Sequence, residues 1–285
     1  MTTVRLARNY DYRHLLDRML VDNPASSAMP LFSTFDPDNG VAVFNRSCWA
    51  GSLDFTGVGM DWYDGVNAVP GRGGVMITKK HMLYSWHATH KGEVRFITAD
   101  NTIETSTVFA STQVSNYHHD IEVLQLGADV SDAVTVYPLL PADYADYLGG
   151  DLDDLRWPVV FLDDYGTNKH AAVHDTKLIT IQWDRLMYYT QESTNARRAA
   201  YYDETDATGV TDSGQPYFVI LPGDVLSPVM MNFSVNYGPF YPDFLTEIAA
   251  AVTSLSSGTY ELELLAFDKA IRPRATFSTP QSMRN

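Results

Sequence analysis

The hexapeptide at positions 211–216, Thr-Asp-Ser-Gly-Gln-Pro, places a serine between an acidic residue and a glycine, directly before the apolar run 217–220. A nucleophilic serine needs a tight turn that aims its hydroxyl into a cleft, backbone amides beside it, and a histidine base within hydrogen-bond reach. Short polar triplets that contain glycine are also common in ordinary turns. Ser213 is therefore a candidate nucleophile whose interpretation depends on partners elsewhere in the chain.

Two earlier segments contain candidate partners for this serine. His87 lies just beyond the end of the strand-like run 82–85, at a place where a rigid scaffold can present a base. Asp120 immediately precedes the apolar run 121–126, so we expect its carboxylate to be partly buried and to accept a hydrogen bond from an imidazole nitrogen. The chain thus offers a base and a carboxylate upstream of the serine.

Short apolar segments recur between turn signals from about residue 41 onwards, a pattern typical of an antiparallel barrel or sandwich. A segment rich in Asp and Gly, at 141–156, separates two halves of similar size. The predicted strands are 75–78, 82–85, 94–97, 103–108, 121–126 and 134–137 in the first half, and 159–162, 171–173, 178–181, 217–221, 229–235 and 260–265 in the second.

Two segments have the 3.6-residue period of a helix, 10–21 near the start and 242–255 near the end. The first belongs to a helical arm that we assign to residues 1–40. The arm is followed by a β-rich half at 41–140, the linker at 141–156 and a second half at 157–267. Residues 268–285 form a tail.

The segments around His87, Asp120 and Ser213 occur in the order found in the trypsin-like serine proteases. That superfamily has a His after Leu-Thr-Ala-Ala, an Asp before Ile-Ala-Leu-Leu, and the turn Gly-Asp-Ser-Gly-Gly-Pro, and the chain resembles it over roughly residues 41–267. The Trp- and Gly-containing segment 45–58 is similar to a bacterial and phage branch. The resemblance implies an all-β fold, a trypsin-like double β-barrel with an N-terminal helical arm and a C-terminal helix plus strand.

The resemblance also implies roles for individual residues. Ser213 would be the nucleophile, His87 the general base and then acid, and Asp120 the residue that fixes the imidazole tautomer. The amides of Thr211 and Ser213 would form the oxyanion hole. The implied function is a serine endopeptidase that acts on polypeptides through an acyl-enzyme, without metal or organic cofactor.

The chain departs from the family at several of these positions. Thr211 stands where the family has Gly, and a β-branched residue is strained if that peptide must adopt a Gly-only conformation. Trp86 and Ala88 replace a small residue and the usual Cys beside the base. No Ile-Val-Gly-Gly segment is present whose freed amine could pair with Asp212.

These departures leave a second interpretation open, in which a catalytically weak or inactive trypsin-like fold is a structural component of a phage virion or another large assembly. Loss of one oxyanion donor typically costs about 100- to 1000-fold in rate. The partners expected under this interpretation are other proteins, including further copies of the chain.

Substrate preference and metal binding are less clear from the sequence. Without gaps in the turn, the base of the specificity pocket falls near Ala207, and Asp206 would favour basic side chains if it faced the pocket rather than solvent. His170 and His174 have a spacing that converges on one face only in a helix, whereas the surroundings indicate a strand. Other histidines that could add ligands are His90, His118 and His119. We expect no metal site.

Charge and cysteine content restrict the class of protein further. The 35 acidic residues exceed the 20 Lys and Arg, giving a net charge of −15, which disfavours nucleic acid and anionic membranes as partners. Cys48 is the single cysteine, so an intrachain disulfide is excluded. Since neither a secretory signal nor a membrane span is recognisable, we expect an intracellular or virion-associated protein.

Overall fold

The computed structural model describes residues 3–4, 13–20, 29–63, 68–88, 92–115, 119–148, 157–165, 168–182, 185–202, 213–233 and 237–267. This part of the chain is mostly β. Its strands are β1 (Thr3–Val4), β2 (Phe32–Asp36), β3 (Val41–Phe44), β4 (Val58–Tyr63), β5 (Ala68–Met76), β6 (His81–Ser85), β7 (Glu93–Ile97), β8 (Ile103–Val114), β9 (Ile121–Leu126), β10 (Pro158–Tyr165), β11 (Asn168–Gln182), β12 (Arg185–Gln191), β13 (Pro216–Leu221), β14 (Val225–Met231), β15 (Tyr237–Pro239) and β16 (Ala266–Phe267). Its α-helices are α1 (Arg13–Met19), α2 (Ala145–Leu148), α3 (Ala196–Ala199) and α4 (Leu245–Ser256).

The first half forms a closed antiparallel barrel in the order β4-β5-β6-β9-β8-β7. β6 and β9 are buried along their whole length, because one face lines the barrel interior and the other packs against the rest of the molecule. β8 instead alternates between more and less exposed positions, the pattern of a strand with one face towards solvent. The strand that ends before His87 is therefore held in a rigid, buried part of the barrel.

The second half is built on a six-stranded antiparallel sheet in the order β14-β13-β10-β11-β12-β15. β13 is buried along its whole length, as its unbroken apolar sequence requires. Met230, in the edge strand β14, forms an isolated antiparallel bridge with Phe240, directly after the opposite edge strand β15. The two edges of this sheet therefore approach each other.

The residues before the barrel pack against the second sheet. The amide of Leu31 donates to the carbonyl of Lys169, and the indole nitrogen of Trp49 donates to the carbonyl of Ala171 at 2.7 Å. In α1, Asp17 accepts two hydrogen bonds from the guanidinium of Arg198, at 2.7 and 2.9 Å. The segment before the barrel is thus attached to the half of the molecule that follows it.

Most of the predicted elements in the described residues are confirmed, and two predicted strands are wrong. Residues 134–137 pair with no strand although Val134 and Tyr137 are buried, because these side chains pack on the barrel from an irregular segment. Residues 260–265 contain only an isolated bridge between Leu264 and Leu139.

Both predicted helices are confirmed. The first is seen over Arg13–Met19, and the second consists of a 3-10 turn at Tyr241–Phe244 followed by α4. The predicted linker contains α2, whose Tyr147 and Leu148 are buried. Residues 149–156 of the linker, and the tail at 268–285, lie outside the described residues.

No helix in the described part of the chain is both long and apolar enough to cross a membrane.

Candidate active site

His87 lies in the 3-10 turn Trp86–Ala88, which directly follows β6. The pairing of β6 with β9 places Ser85 opposite Ile121, so the residues that follow β6 meet the residue that precedes β9. The amide of Trp86 accordingly donates to the carbonyl of Asp120 at 3.0 Å. Register between two buried strands therefore brings His87 and Asp120 together.

Asp120 directs its carboxylate back onto this turn. Its backbone is left-handed, with φ of 55°, a conformation that Asp and Asn tolerate better than most other residues. Oδ1 accepts the backbone amide of His87 at 2.7 Å, and Oδ2 lies 2.8 Å from the imidazole Nδ1. Only 1% of the residue is exposed, so hydrogen bonds replace the water that the carboxylate would otherwise bind.

Ser213 reaches the same histidine from the second half of the molecule. It lies in the turn before β13, is 3% exposed, and places its Oγ 2.8 Å from Nε2 of His87. An ionised carboxylate can only accept hydrogen bonds, so Nδ1 donates to Asp120 and the lone pair of Nε2 faces the Ser213 hydroxyl. The serine can therefore pass its proton to this imidazole.

The turn is fixed by Gly214, whose φ is +84°. A Cβ at this position would meet the carbonyl oxygen of Gly73 and lie 2.9 Å from Cε2 of Tyr84, both of which belong to the barrel. The Gly214 amide donates to the carbonyl of Asn232 at 2.9 Å. The residue after the nucleophile thus fits against the first half and is anchored to the second.

His87 is partly exposed, whereas Asp120 is surrounded by buried groups. Its side chain is 41% exposed, and its ring makes an edge contact with Phe233 at a centroid distance of 5.5 Å. Two positions after Asp120 in sequence, burial raises the pKa of Glu122, and the charge of Asp120 raises it further against the opposing effect of a Ser111 hydrogen bond. Burial also raises the pKa of Tyr241 well above its ordinary value, again with a contribution from Asp120. Asp120 thus lies among buried groups that favour their neutral forms.

The structure brings together His87, Asp120 and Ser213, the three side chains singled out from the sequence. Thr211, the other proposed oxyanion donor, lies outside the described residues. So do Asp212, Asp206 and Ala207, and also His90 and His118.

The other histidines considered as metal ligands lie in separate surroundings. His170 and His174 are on β11, as the strand prediction required, and Nδ1 of His174 is 3.0 Å from Oγ1 of Thr190. His119 has Nδ1 3.1 Å from Oγ of Ser115. Within the described ranges, no group of three or more His, Cys, Asp or Glu side chains is placed to hold a metal ion.

Sequence reasoning missed Ser85, the last residue of β6. Its hydroxyl donates to Oδ2 of Asp120, and its Oγ lies 2.8 Å from Nδ1 of His87. The available signal was a small hydroxyl residue two positions before the histidine, at the end of a buried strand. A serine in a strand is too common for that signal to stand out without the position of Asp120.

No protein-family model matches the chain, and a search of curated proteins finds no match either.

Proposed function

We propose that this protein is a serine endopeptidase that cleaves peptide bonds through an acyl-enzyme on Ser213. The observation that carries the proposal is the position of the His87 ring, with Nε2 2.8 Å from Ser213 Oγ and Nδ1 2.8 Å from Asp120 Oδ2. A serine, an imidazole and a buried carboxylate in this order are the parts that activate a hydroxyl for attack on a carbonyl.

In the first half of the reaction, Ser213 Oγ bonds to the carbonyl carbon of the substrate while its proton moves to Nε2 of His87. The carbon–nitrogen bond then breaks, and the proton on Nε2 goes to the departing amine. Water repeats the sequence in the second half: it gives a proton to His87 and its oxygen to the acyl carbon, and Ser213 recovers its proton as the acid leaves. Asp120 stays ionised throughout and stabilises the imidazolium.

The proposal extends to the architecture. We propose that the six-stranded sheet of the second half is the second barrel of a trypsin-like pair. The bridge between Met230 and Phe240, which joins residues at the two edges of the sheet, supports this interpretation. So does the position of the triad, in which the base and carboxylate come from one half and the nucleophile from the other.

A fluorophosphonate probe tests the reaction directly, because it bonds covalently to an activated serine. We expect the wild-type protein to be labelled, and Ser213→Ala and His87→Ala to remain unlabelled. Ser227→Ala is a matched control, since Ser227 is another fully buried serine, and its hydroxyl donates to the carbonyl of Pro138 at 2.8 Å. Labelling that persists in Ser213→Ala, or that is absent from folded wild-type protein, would contradict the proposal.

The second candidate function is a structural component of a virion or other assembly that retains the fold with little reactivity. Thr211, at the position where the resembled proteases have Gly, favours this alternative. Thr211→Gly discriminates between the two. An unreactive wild type that gains labelling in this variant would indicate a complete triad beside a defective oxyanion hole.

A further inference from the structure

We infer that Ser85 is a positioning residue that holds the His87–Asp120 pair in its proton-accepting arrangement. This inference rests on the proposed function, and it adds a fourth side chain to the three that the serine mechanism requires. It stands on a cluster of short contacts at the end of β6.

The contacts form a triangle of polar atoms. Ser85 Oγ donates to Oδ2 of Asp120, and the same Oδ2 is 2.8 Å from Nδ1 of His87. The third side joins Ser85 Oγ to Nδ1 of His87, also at 2.8 Å. Ser85 is 0% exposed and Asp120 is 1% exposed, so the protein alone supplies hydrogen bonds in this triangle.

Proton counting fixes the direction of these bonds. Ser85 has one hydroxyl proton, and the acceptor-only carboxylate of Asp120 takes it. The lone pairs of Ser85 Oγ then face Nδ1–H of His87, so this proton is shared between the Ser85 oxygen and Asp120 Oδ2. In the opposite arrangement, Ser85 would donate to Nδ1, the proton of His87 would move to Nε2, and the ring could no longer accept from Ser213.

By accepting the Ser85 proton, Asp120 therefore favours the arrangement in which Nε2 of His87 can accept from Ser213. Ser85 at the same time donates a hydrogen bond to a buried carboxylate. Among the described residues, the carboxylate then has three donors: the Ser85 hydroxyl, the His87 amide and Nδ1–H. Removing one donor from a buried charged group typically costs about 1.5–3 kcal/mol of interaction, which is far from negligible for a site that must hold one tautomer.

The test compares Ser85→Ala with the matched control Ser227→Ala by the rate of fluorophosphonate labelling across pH. We expect Ser85→Ala to slow labelling by about 10- to 100-fold, the size of one hydrogen bond to a charged group. With one donor fewer, Asp120 attracts the imidazolium more strongly. The acid-side midpoint of the rate profile therefore moves to higher pH, an effect that general loss of stability would not produce. Ser85→Cys, which keeps a weaker donor, should fall between wild type and Ser85→Ala.

A second measurement does not depend on activity. The Nδ1–H proton of His87, assigned by its disappearance in His87→Gln, is followed by NMR in each variant. We expect its resonance to move in Ser85→Ala, because it loses its second acceptor, and to keep its position in Ser227→Ala. The inference would be overturned if Ser85→Ala and Ser227→Ala had the same labelling rate, the same acid-side midpoint and the same position of the Nδ1–H resonance. The two proposals can also fail separately. If the wild-type protein is not labelled, but the resonance moves in Ser85→Ala and not in Ser227→Ala, the role of Ser85 is supported and the proposed protease function is refuted.

Discussion

Strand β6 has a histidine at each end of its buried segment, and the two lie in opposite surroundings. His81, the first residue of the strand, is 0% exposed, whereas the side chain of His87, just after its end, is 41% exposed. Each has its Nδ1 2.8 Å from a hydroxyl oxygen, that of Thr78 for His81 and that of Ser85 for His87, but Nδ1 of His87 is also 2.8 Å from the carboxylate of Asp120. The same residue type thus meets a neutral partner at one end and an acidic partner at the other.

The difference decides which histidine can exchange a proton. Burial lowers the pKa of His81 to about 4, with a further lowering by Lys80 and an opposing effect of Asp129, so the ring is neutral at pH 7. Its role is to pack, with its ring in edge contact with Tyr260. His87 has the carboxylate of Asp120 beside its Nδ1, and its side chain is partly open to solvent. Of these two histidines, His87 is the one that combines a carboxylate at 2.8 Å with an opening to solvent.

The largest effect is expected from removing the acidic partner. Asp120→Asn keeps a residue type that tolerates the left-handed backbone, but its amide can donate to Nδ1 and so forces the proton of His87 onto Nε2. In a serine triad this change lowers the rate by about 10⁴-fold. Fluorophosphonate labelling checks it, with Asp175→Asn as the control, because Asp175 is an equally buried Asp bonded to Ser193 in the second half. Equal labelling rates in the two variants would contradict the view that the acidic partner of His87 distinguishes it from His81.

Gly214→Ala should disrupt the contact between β6 and the nucleophile turn. The change places a Cβ against the Gly73 carbonyl and Tyr84 at a φ of +84°. Left-handed strain and overpacking together should lower the free energy of unfolding by about 3 to 4 kcal/mol. Urea denaturation measures it. Gly223→Ala is the matched control, since φ is +82° there and nothing lies within 4 Å of the added carbon. Equal losses in the two variants would show that the barrel contact is unimportant.

His81 should make the fold sensitive to acid. The unfolded chain takes up a proton at His81 as the pH falls through its ordinary pKa of 6.5, whereas the folded protein does so only near 4. Stability should therefore fall by about 3 kcal/mol between these values, with no further loss from this residue at lower pH. Denaturant unfolding at several pH values, in wild type and in His81→Gln, isolates the effect. If the free energy of unfolding depended on pH in the same way in the two proteins, the loss of stability in acid could not be assigned to His81.

Thr78→Val should give the smallest change and show that the two ends of β6 act independently. The Thr78 hydroxyl meets Nδ1 of His81 and accepts the amides of Lys80 and His81. Its loss should cost about 1 to 2 kcal/mol of unfolding free energy. We expect labelling of the folded variant to proceed at the wild-type rate. A reduction of that rate, at a pH where the variant is fully folded, would show that the two histidines are coupled.

The comparison also shows what the sequence could and could not predict. Asp120 was recognisable because it directly precedes an apolar strand, a local feature that predicts a partly buried carboxylate. His87 was recognisable for a similar reason, after a strand. Ser85 was not, because its role depends on the positive φ of Asp120, which turns the carboxylate back towards β6. The local pattern of apolar residues predicts where strands end. Which side chains meet at those ends depends on how neighbouring strands are paired, and the sequence does not show this.

Errors in the fold have a related cause. The segment 134–137 has the apolar content of a strand, yet Tyr137 uses its hydroxyl to bind the carbonyl of Asp54 at 2.8 Å, and its neighbours pair with no strand. The attachment of residues 29–50 to β11 was also missed. It is carried by contacts such as the Trp49–Ala171 hydrogen bond, which spans 122 positions in sequence. The apolar composition of a segment predicts that its side chains are buried. It does not predict which part of the chain packs against them.

The division of the triad between the two halves of the chain has a consequence for biosynthesis. His87 and Asp120 leave the ribosome well before Ser213, so the nascent first half contains the imidazole and the carboxylate but not the serine hydroxyl. The serine acquires its partner only when the later strands have folded against the finished barrel, at the contact between Gly214 and Gly73. The arrangement of all three side chains is therefore a property of the completed molecule and of neither half alone.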